Sequence, residues 1–425
     1  MAEYRHLHWD PTFVEGLPRR DRRGCEFEAY IPDPLENRTY RLDGDVSADV
    51  TDAESAIHVL NAQTTALTGL DGLARLLLRA EAVASSKIEG LEVGGRRLLH
   101  AEVARELGEK SRDLTAEEVL GNIDAMTWAV NNIGATQKID LDHIREIHRR
   151  LVFGTRLEPH GGVIRDRQNW IGGGDYSPCE AQFVPPPPQE VERLLDDLCN
   201  FCNGDDLPAI AQAAIAHAQF ETIHPFADGN GRTGRALIHV ILRRRGLVPR
   251  VLPPISLVLA TMSRDYITRL MGTRYEGDPN GLGAHDGLNR WIALFASAAS
   301  RAVRDARMFE QRVGDLQTDW RQRVGHVRRG STVDLLIDSL PGAPVITVNS
   351  AARMTSRSFK AVNLAVRELL AAGVLRQIHV GRRNRAFEAM ELIDTFNTLE
   401  RQLASPQADT RTSPPARPVP ARRPN

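Results

Sequence analysis

Apolar residues recur along most of this chain at intervals of three and four, the period of one buried helix face. Leu73, Leu76, Leu77, Ala80 and Val83 set that pattern in "LDGLARLLLRAEAVASSKIEG", and Gly90 is a natural stop for the helix it predicts. Helical segments continue through "AEEVLGNIDAMTWAVNNI", "DLDHIREIHRRLVFG" and the amphipathic "EVERLLDDLCNFC". "LPAIAQAAIAHAQFETI" (207–223) reads as an alanine-rich helix. "GRALIHVILRRRG" is apolar nearly all round until its basic end and should lie in a core. The expected fold is mainly α.

Three stretches depart from that period. The first ~45 residues are polar and turn-rich, with "YIPDPL" as an extended strap. "GGVIRDRQNWIGGGDYSPCEAQFVPPPP" (161–188) predicts two short strands around a glycine-rich tip, closed by prolines that start the next helix. Near the end, three helical segments precede "VLRQIHVGRRNRAFEA", a two-stranded wing with Gly381, Arg382, Arg383 and Asn384 at its tip. That order predicts a winged helix-turn-helix.

A chain of 425 residues exceeds one small domain. The pattern divides it into an N-terminal helical region at 1–110, a helical core at 111–300, a linking helix at 301–328, a winged-helix module at 329–403 and a disordered tail at 404–425. The tail has almost no apolar side chains able to form a core. A net charge of -1 gives no global pull toward nucleic acid or membrane, so any basic surface must be local. Cys25, Cys179, Cys199 and Cys202 are too few and too scattered for a disulfide scaffold. Cys199 and Cys202 form a CxxC inside a helical pattern, which favours buried free thiols over a metal site. No secretory pattern opens the chain and no apolar run approaches the ~20 residues of a membrane span, so a cytoplasmic protein is expected.

The chemistry concentrates in "HPFADGNGRTGR", His224 to Arg235. A solvated glycine-rich link would account for it, except that two apolar helices flank it. Gly229, Asn230, Gly231 and Arg232 lead into a helix N-terminus, where converging backbone N–H groups and roughly half a positive charge favour an anion. Arg232 and Arg235 lie on one helix face and suit adjacent phosphates. Asp228 beside such a nest suggests Mg²⁺ between carboxylate and phosphate. His224 has the side chain whose unperturbed pKa suits proton abstraction near neutrality. Together these are the parts of phosphoryl or nucleotidyl transfer to a hydroxyl.

The same stretch resembles the signature of Fic-domain proteins, HPFx[DE]GNGRxxR, at every defining position. "AVASSKIEG", the hairpin ending in "FVPPPP", "AHAQFETI" and the C-terminal winged helix extend the resemblance over most of the chain. It implies a Fic-type helical core with a β-hairpin flap and a protein adenylyltransferase that moves AMP from ATP onto a Ser, Thr or Tyr hydroxyl of a target protein. On that reading His224 is the base, Phe226 anchors the loop, and Asp228 binds Mg²⁺. Gly229, Asn230 and Gly231 form the anion hole, Arg232 contacts the β-phosphate, Arg235 holds the γ-phosphate, and Gly234 belongs to the nucleotide site. Some relatives that phosphorylate carry lysine where Gly231 stands, so AMP transfer is favoured.

"SSKIEG" resembles the family's inhibitory helix, [ST]xxxE[GN], which implies that Glu89, with Ser85, claims Arg235 and blocks the γ-phosphate. In the flap, Arg165, Trp170 and Ile171 are candidates to align the target by β-augmentation. Tyr266 is either an adenine-pocket residue or a buried structural tyrosine. In the winged helix, Arg357, Lys360, Arg382 and Arg383 would approach a DNA backbone, although such modules also dock proteins. A homodimer is a further arrangement that relatives adopt. DeAMPylation, transfer of another nucleotide, and a nucleotide-sensing DNA-binding regulator remain alternatives.

Overall fold

The computed structural model describes residues 1–10, 24–36, 38–63, 70–109, 113–174, 176–380 and 384–403. Two strands, β1 (Glu3–Trp9) and β2 (Cys25–Ile31), open the chain. Five helices follow: α1 (Gly44–Gln63), α2 (Leu70–Ile88), α3 (Gly95–Glu106), α4 (Leu114–Asn132) and α5 (Leu141–Val152). Then come α6 (Pro188–Asn203), α7 (Ala209–Ile223), α8 (Asn230–Arg244), α9 (Ile255–Thr261), α10 (Ser263–Met271) and α11 (Leu282–Val324). The last elements are α12 (Thr332–Ser339), β3 (Val345–Ile346), α13 (Val348–Thr355), α14 (Phe359–Ala371), β4 (Arg376–Val380), β5 (Asn384–Glu388) and α15 (Met390–Leu403). The mainly helical fold is as expected. Among the described residues, no helix is long and apolar enough to cross a membrane.

The chain divides into two compact units. The first comprises residues 1–58, 124–249 and 264–300. Its centre is the packed pair α7 and α8. All fifteen residues of α7 are buried, which its alanine-rich sequence allows because small side chains let neighbours approach on every side. Trp291 of α11 donates its indole N–H to the Ala214 carbonyl at 2.8 Å. Gly234 of α8 faces α7 so closely that a Cβ there would lie 2.9 Å from Phe220.

The second unit comprises residues 59–123, 250–263 and 301–425, of which those named above are described. Glu81 of α2 is fully buried, and both its carboxylate oxygens accept from Ser256 at the start of α9, one from the amide at 2.7 Å and one from the hydroxyl. A buried charge survives only with such partners. Asn122 of α4 donates to the Ala82 carbonyl at 2.7 Å and to the Ser86 hydroxyl at 3.1 Å, tying down the last turns of α2. Leu99 and Val103 of α3 share a core with Val345, Ile378, Ala386 and Ile393. The antiparallel sheet has the order β3-β5-β4 and pairs Arg376 with Glu388.

Four features differ from expectation. The N-terminal segment is a β-hairpin, registered from Glu3 opposite Ile31 to Trp9 opposite Cys25. Glu26 and Glu28 alternate with Phe27 and Ala29, a period-two signal outweighed by the surrounding turn residues. Cys25 and Cys179 are joined in a disulfide across 154 residues, a separation at which spacing carries no signal. Among its described residues the 161–188 segment holds one β-bridge, Ile171 opposite Phe183, where two strands were expected. Its glycines at positive φ and its prolines cannot extend a ladder. The charged stretch from 301 continues α11, which runs unbroken for 43 residues. Cys199 and Cys202 are buried free thiols, and desolvation pushes the Cys199 thiol up to about 12. The tail from 404, like Arg382 and Arg383, lies outside the described residues.

A Cβ at Gly287 would fall 2.0 Å from the Gly272 carbonyl oxygen, a backbone atom with little room to retreat. Gly287→Ala is therefore expected to destabilise the first unit by about 1–3 kcal/mol, read as a lower midpoint in chemical denaturation.

Candidate active site

The turn between α7 and α8 begins with strain. His224 caps α7 in the left-handed region at φ 50, ψ 61, and its N–H donates to the Phe220 carbonyl at 2.9 Å. A non-glycine residue there costs about 1–2 kcal/mol, so its surroundings must impose it. Arg165 does most of that. Its Nε donates to the His224 carbonyl at 2.8 Å, its Nη2 to Pro186 at 2.6 Å and to Ile223 at 3.3 Å. Its own amide donates to the Pro225 carbonyl at 3.0 Å. Burial lowers the guanidinium pKa to about 10, which still leaves the group charged at neutral pH. Asn169 adds bonds of 3.2 Å to the carbonyls of His224 and Phe226.

A second clasp shapes the middle of the turn. The Asn230 side chain accepts from the Phe226 amide at 2.8 Å and donates to the Phe226 carbonyl at 2.9 Å. Asn230 thus contributes to any anion site through its main chain, because its amide group is committed to the turn. Phe226 is fully buried and its ring stacks on His148 at 3.9 Å, 3° from parallel.

His148 of α5 holds the next residue. Its Nδ1 accepts the Gly162 amide at 2.9 Å, and since an amide only donates, this ring nitrogen carries no hydrogen. The hydrogen is therefore on Nε2, which donates to the Asp228 carbonyl at 3.0 Å. Burial lowers the His148 pKa to about 4, keeping it in the neutral form that this pair of bonds requires. Gly229 follows at φ 76, and a Cβ there would meet Leu151 at 2.9 Å, so glycine is required twice over.

These constraints leave His224 half-buried and Asp228 exposed. Asp228 is half exposed, its Oδ1 accepts the Gly229 amide at 2.6 Å, and Arg232 stands 3.9 Å away. Gly229 has no side chain with which to cap α8, so this fifteen-residue helix starts at the turn without an N-cap side-chain bond. Arg232 and Arg235 are both buried on the first turns of α8. Among the described residues, no three His, Cys, Asp or Glu side chains cluster as a protein-only metal cage. A single exposed carboxylate beside an anion-seeking helix end instead suits Mg²⁺ that takes its other ligands from phosphates and water.

Several expected site residues have other surroundings. Gly234 packs against Phe220, Glu221 and His217 of α7. Tyr266 is 3% exposed, bonded through its hydroxyl to His217 Nε2 at 2.8 Å and flanked by Trp291, so it stands in the core. Arg165 is buried beneath the His224 turn. Trp170 and Ile171 do lie on the 161–188 segment, where the Trp170 indole donates to the Gly174 carbonyl at 2.7 Å. Ser85 is buried near the end of α2, and Glu89 stands exposed just past it, before Gly90 at φ 82. The sequence reading missed His148 and Asn169, whose partners lie 80 and 55 residues away.

Two measurements test this account. Arg165→Ala strands several buried carbonyls and is expected to cost on the order of 3 kcal/mol of stability, against little change for a surface arginine control. Because His148 is held neutral in the fold, unfolding takes up protons in acid. Stability should be full above pH 6.5 and fall as pH drops toward about 4, and His148→Gln should flatten that slope in thermal melts.

Comparison with known proteins places this turn in context. A model described as Fic/DOC family matches residues 138–242, and one described as Fic/DOC family N-terminal matches 47–131. The chain is 37% identical over 119 residues to protein adenylyltransferase fic-1 of Caenorhabditis elegans, covering 27% of this chain and 22% of that one. It is 36% identical over 141 residues to protein adenylyltransferase Fic of Drosophila melanogaster, covering 32% and 26%. The matches thus span about a quarter of these relatives' length. The crystal structure of a Fic family protein from Desulfovibrio desulfuricans G20 shares the fold at a TM-score of 0.51 and 20% identity, covering 82% of this chain and 97% of that one. The matched region spans α5, α7 and α8, the three helices that build the His224 turn, so the turn lies within the part of the chain that is similar to the Fic/DOC family.

Proposed function

We propose that this chain is a protein adenylyltransferase that transfers AMP from ATP to a Ser, Thr or Tyr hydroxyl of a target protein. The observation that carries the reading is the buried N-terminus of α8, without an N-cap side-chain bond and with two arginines on its first turns, beside a strained His224 and an exposed Asp228. His224 accepts the proton of the attacking hydroxyl as its oxygen bonds to the α-phosphorus. The bond from that phosphorus to the bridging oxygen breaks on the opposite side, and pyrophosphate leaves. The amides at the start of α8, with Arg232 and Arg235, bind and orient the triphosphate so that attack is in line. Asp228 would hold Mg²⁺, which when bound neutralises developing phosphate charge.

The 161–188 segment serves on this reading as the flap. Its main chain around Gln168–Trp170 pairs with the target backbone and presents the hydroxyl without demanding a particular sequence. Glu89 serves as the inhibitory carboxylate that competes with the γ-phosphate for Arg235, supported by the [ST]xxxE[GN] match at Ser85–Gly90. The order α12, β3, α13, α14, β4 and β5 supports a winged-helix reading. There the exposed Arg357 and Lys360 would face an anionic partner such as DNA.

Intact mass after incubation with ATP and Mg²⁺ decides the main reading. The Glu89→Gly chain is expected to label itself or lysate proteins with AMP at least tenfold more than wild type. Adding His224→Ala or Arg235→Ala should abolish the label. Labelling that survives His224→Ala would reject the assigned base, and equal labelling of wild type and Glu89→Gly would reject the inhibitory role.

A further inference from the structure

The N-terminal hairpin is fastened to the flap segment. The Tyr30 amide of β2 donates to the Val184 carbonyl at 2.9 Å, and the Tyr30 ring lies 6.3 Å from that of Phe183. The Trp9 ring meets the Trp170 ring edge-on at 5.4 Å. One link is covalent, the disulfide between Cys25 on β2 and Cys179 in the return half of the segment.

The base of the segment is held by Arg165 on the Pro186 carbonyl at 2.6 Å and Gln168 on the Pro185 carbonyl at 2.9 Å, but its outer part has less to hold it. There, among the described residues, the two halves share one β-bridge, Ile171 opposite Phe183, and the tip turns through Gly172 and Gly173 at positive φ. An isolated hairpin of that kind is marginal in water. A groove of about 360 Å³ lies along its outgoing half, lined by Gln168, Asn169, Trp170 and Gly172–Gly174. Asn169 also donates to the His224 carbonyl, so the groove wall continues into the catalytic turn. What anchors the return half therefore governs the shape of the groove and the support of that turn.

We propose that Cys25 and Cys179 form a thiol–disulfide switch that sets how firmly the flap segment is held. The inference deepens the adenylyltransferase reading and rests on it for its functional meaning. The oxidant is a low-molecular-weight disulfide such as oxidised glutathione. The Cys25 thiolate attacks one of its sulfurs and releases one glutathione thiolate. The Cys179 thiolate then attacks Cys25 Sγ in the mixed disulfide and releases the second. Two protein thiols lose two electrons and two protons, and one glutathione disulfide becomes two thiols. Cys199 and Cys202 stay outside this exchange because they are buried with their thiol pKa values raised.

Hydrogen exchange on the full-length chain, equilibrated with oxidised or with reduced glutathione, tests the switch. Amides of residues 168–174 and 181–184 are expected to exchange about tenfold more slowly in the oxidised form. Cys25→Ser and Cys179→Ser should match the reduced chain in both buffers, while Cys199→Ser keeps the difference. Equal exchange in the two buffers, or full alkylation of Cys25 under oxidising conditions, would overturn the proposal. Because exchange does not depend on catalysis, failure of the Glu89→Gly chain to label in either redox state would reject the adenylyltransferase reading and leave the switch standing.

Discussion

A guanidinium among main-chain carbonyls is the interaction on which the site depends. Arg165 gathers the carbonyls of Pro186, Ile223 and His224, and its amide takes that of Pro225. Carbonyl groups at the end of a helix repel one another and ordinarily face water. A buried cation draws them together, and the backbone at His224 has then little choice but the left-handed region. From there the rest follows in order. Phe226 is driven into the core, Asn230 closes the turn behind it, and α8 starts at a fixed height relative to His224.

The second constraint is the neutral His148, which ties the Asp228 carbonyl to the Gly162 amide. Arg165 and His148 grip the turn from its two ends. Both hold the backbone from which the His224 and Asp228 side chains project. On the adenylyltransferase proposal, a base and a metal-binding carboxylate would be useful only if their separation did not drift, because misplacement by even 1 Å is expensive in rate. The rigidity would then come from groups outside the proposed chemistry.

Much of this was legible in the sequence. The helical periods anticipated α2, α4, α5, α7 and α8, and the twelve residues from His224 marked the α7–α8 turn as the candidate site. Local chemistry is readable because helix starts, glycine turns and i, i+3 faces are set by neighbours. The supports were not readable, since Arg165, Asn169 and His148 act across 55 to 80 residues and their types have no obligatory spacing. Asn230 and Gly234 show the converse limit. Membership of a motif does not say whether a side chain faces the ligand or the fold. The N-terminal hairpin was missed although its alternation was present, because a short strand beside turn-forming residues gives a weaker signal than a helix.

The reach of the Cys25–Cys179 link also bears on how the protein is made. Translation at about 5–20 residues per second exposes β1 and β2 well before the segment that will cover them. Covering the sequence separation of 154 takes roughly 8–30 s at that pace. Of the four cysteines in this sequence, Cys25 alone is outside the ribosome for that interval, before any of the other three can pair with it. Cys179 emerges next, and Cys199 and Cys202 arrive only with the helix that buries them. The order of synthesis alone thus presents the native pair first and leaves the wrong pairings little opportunity.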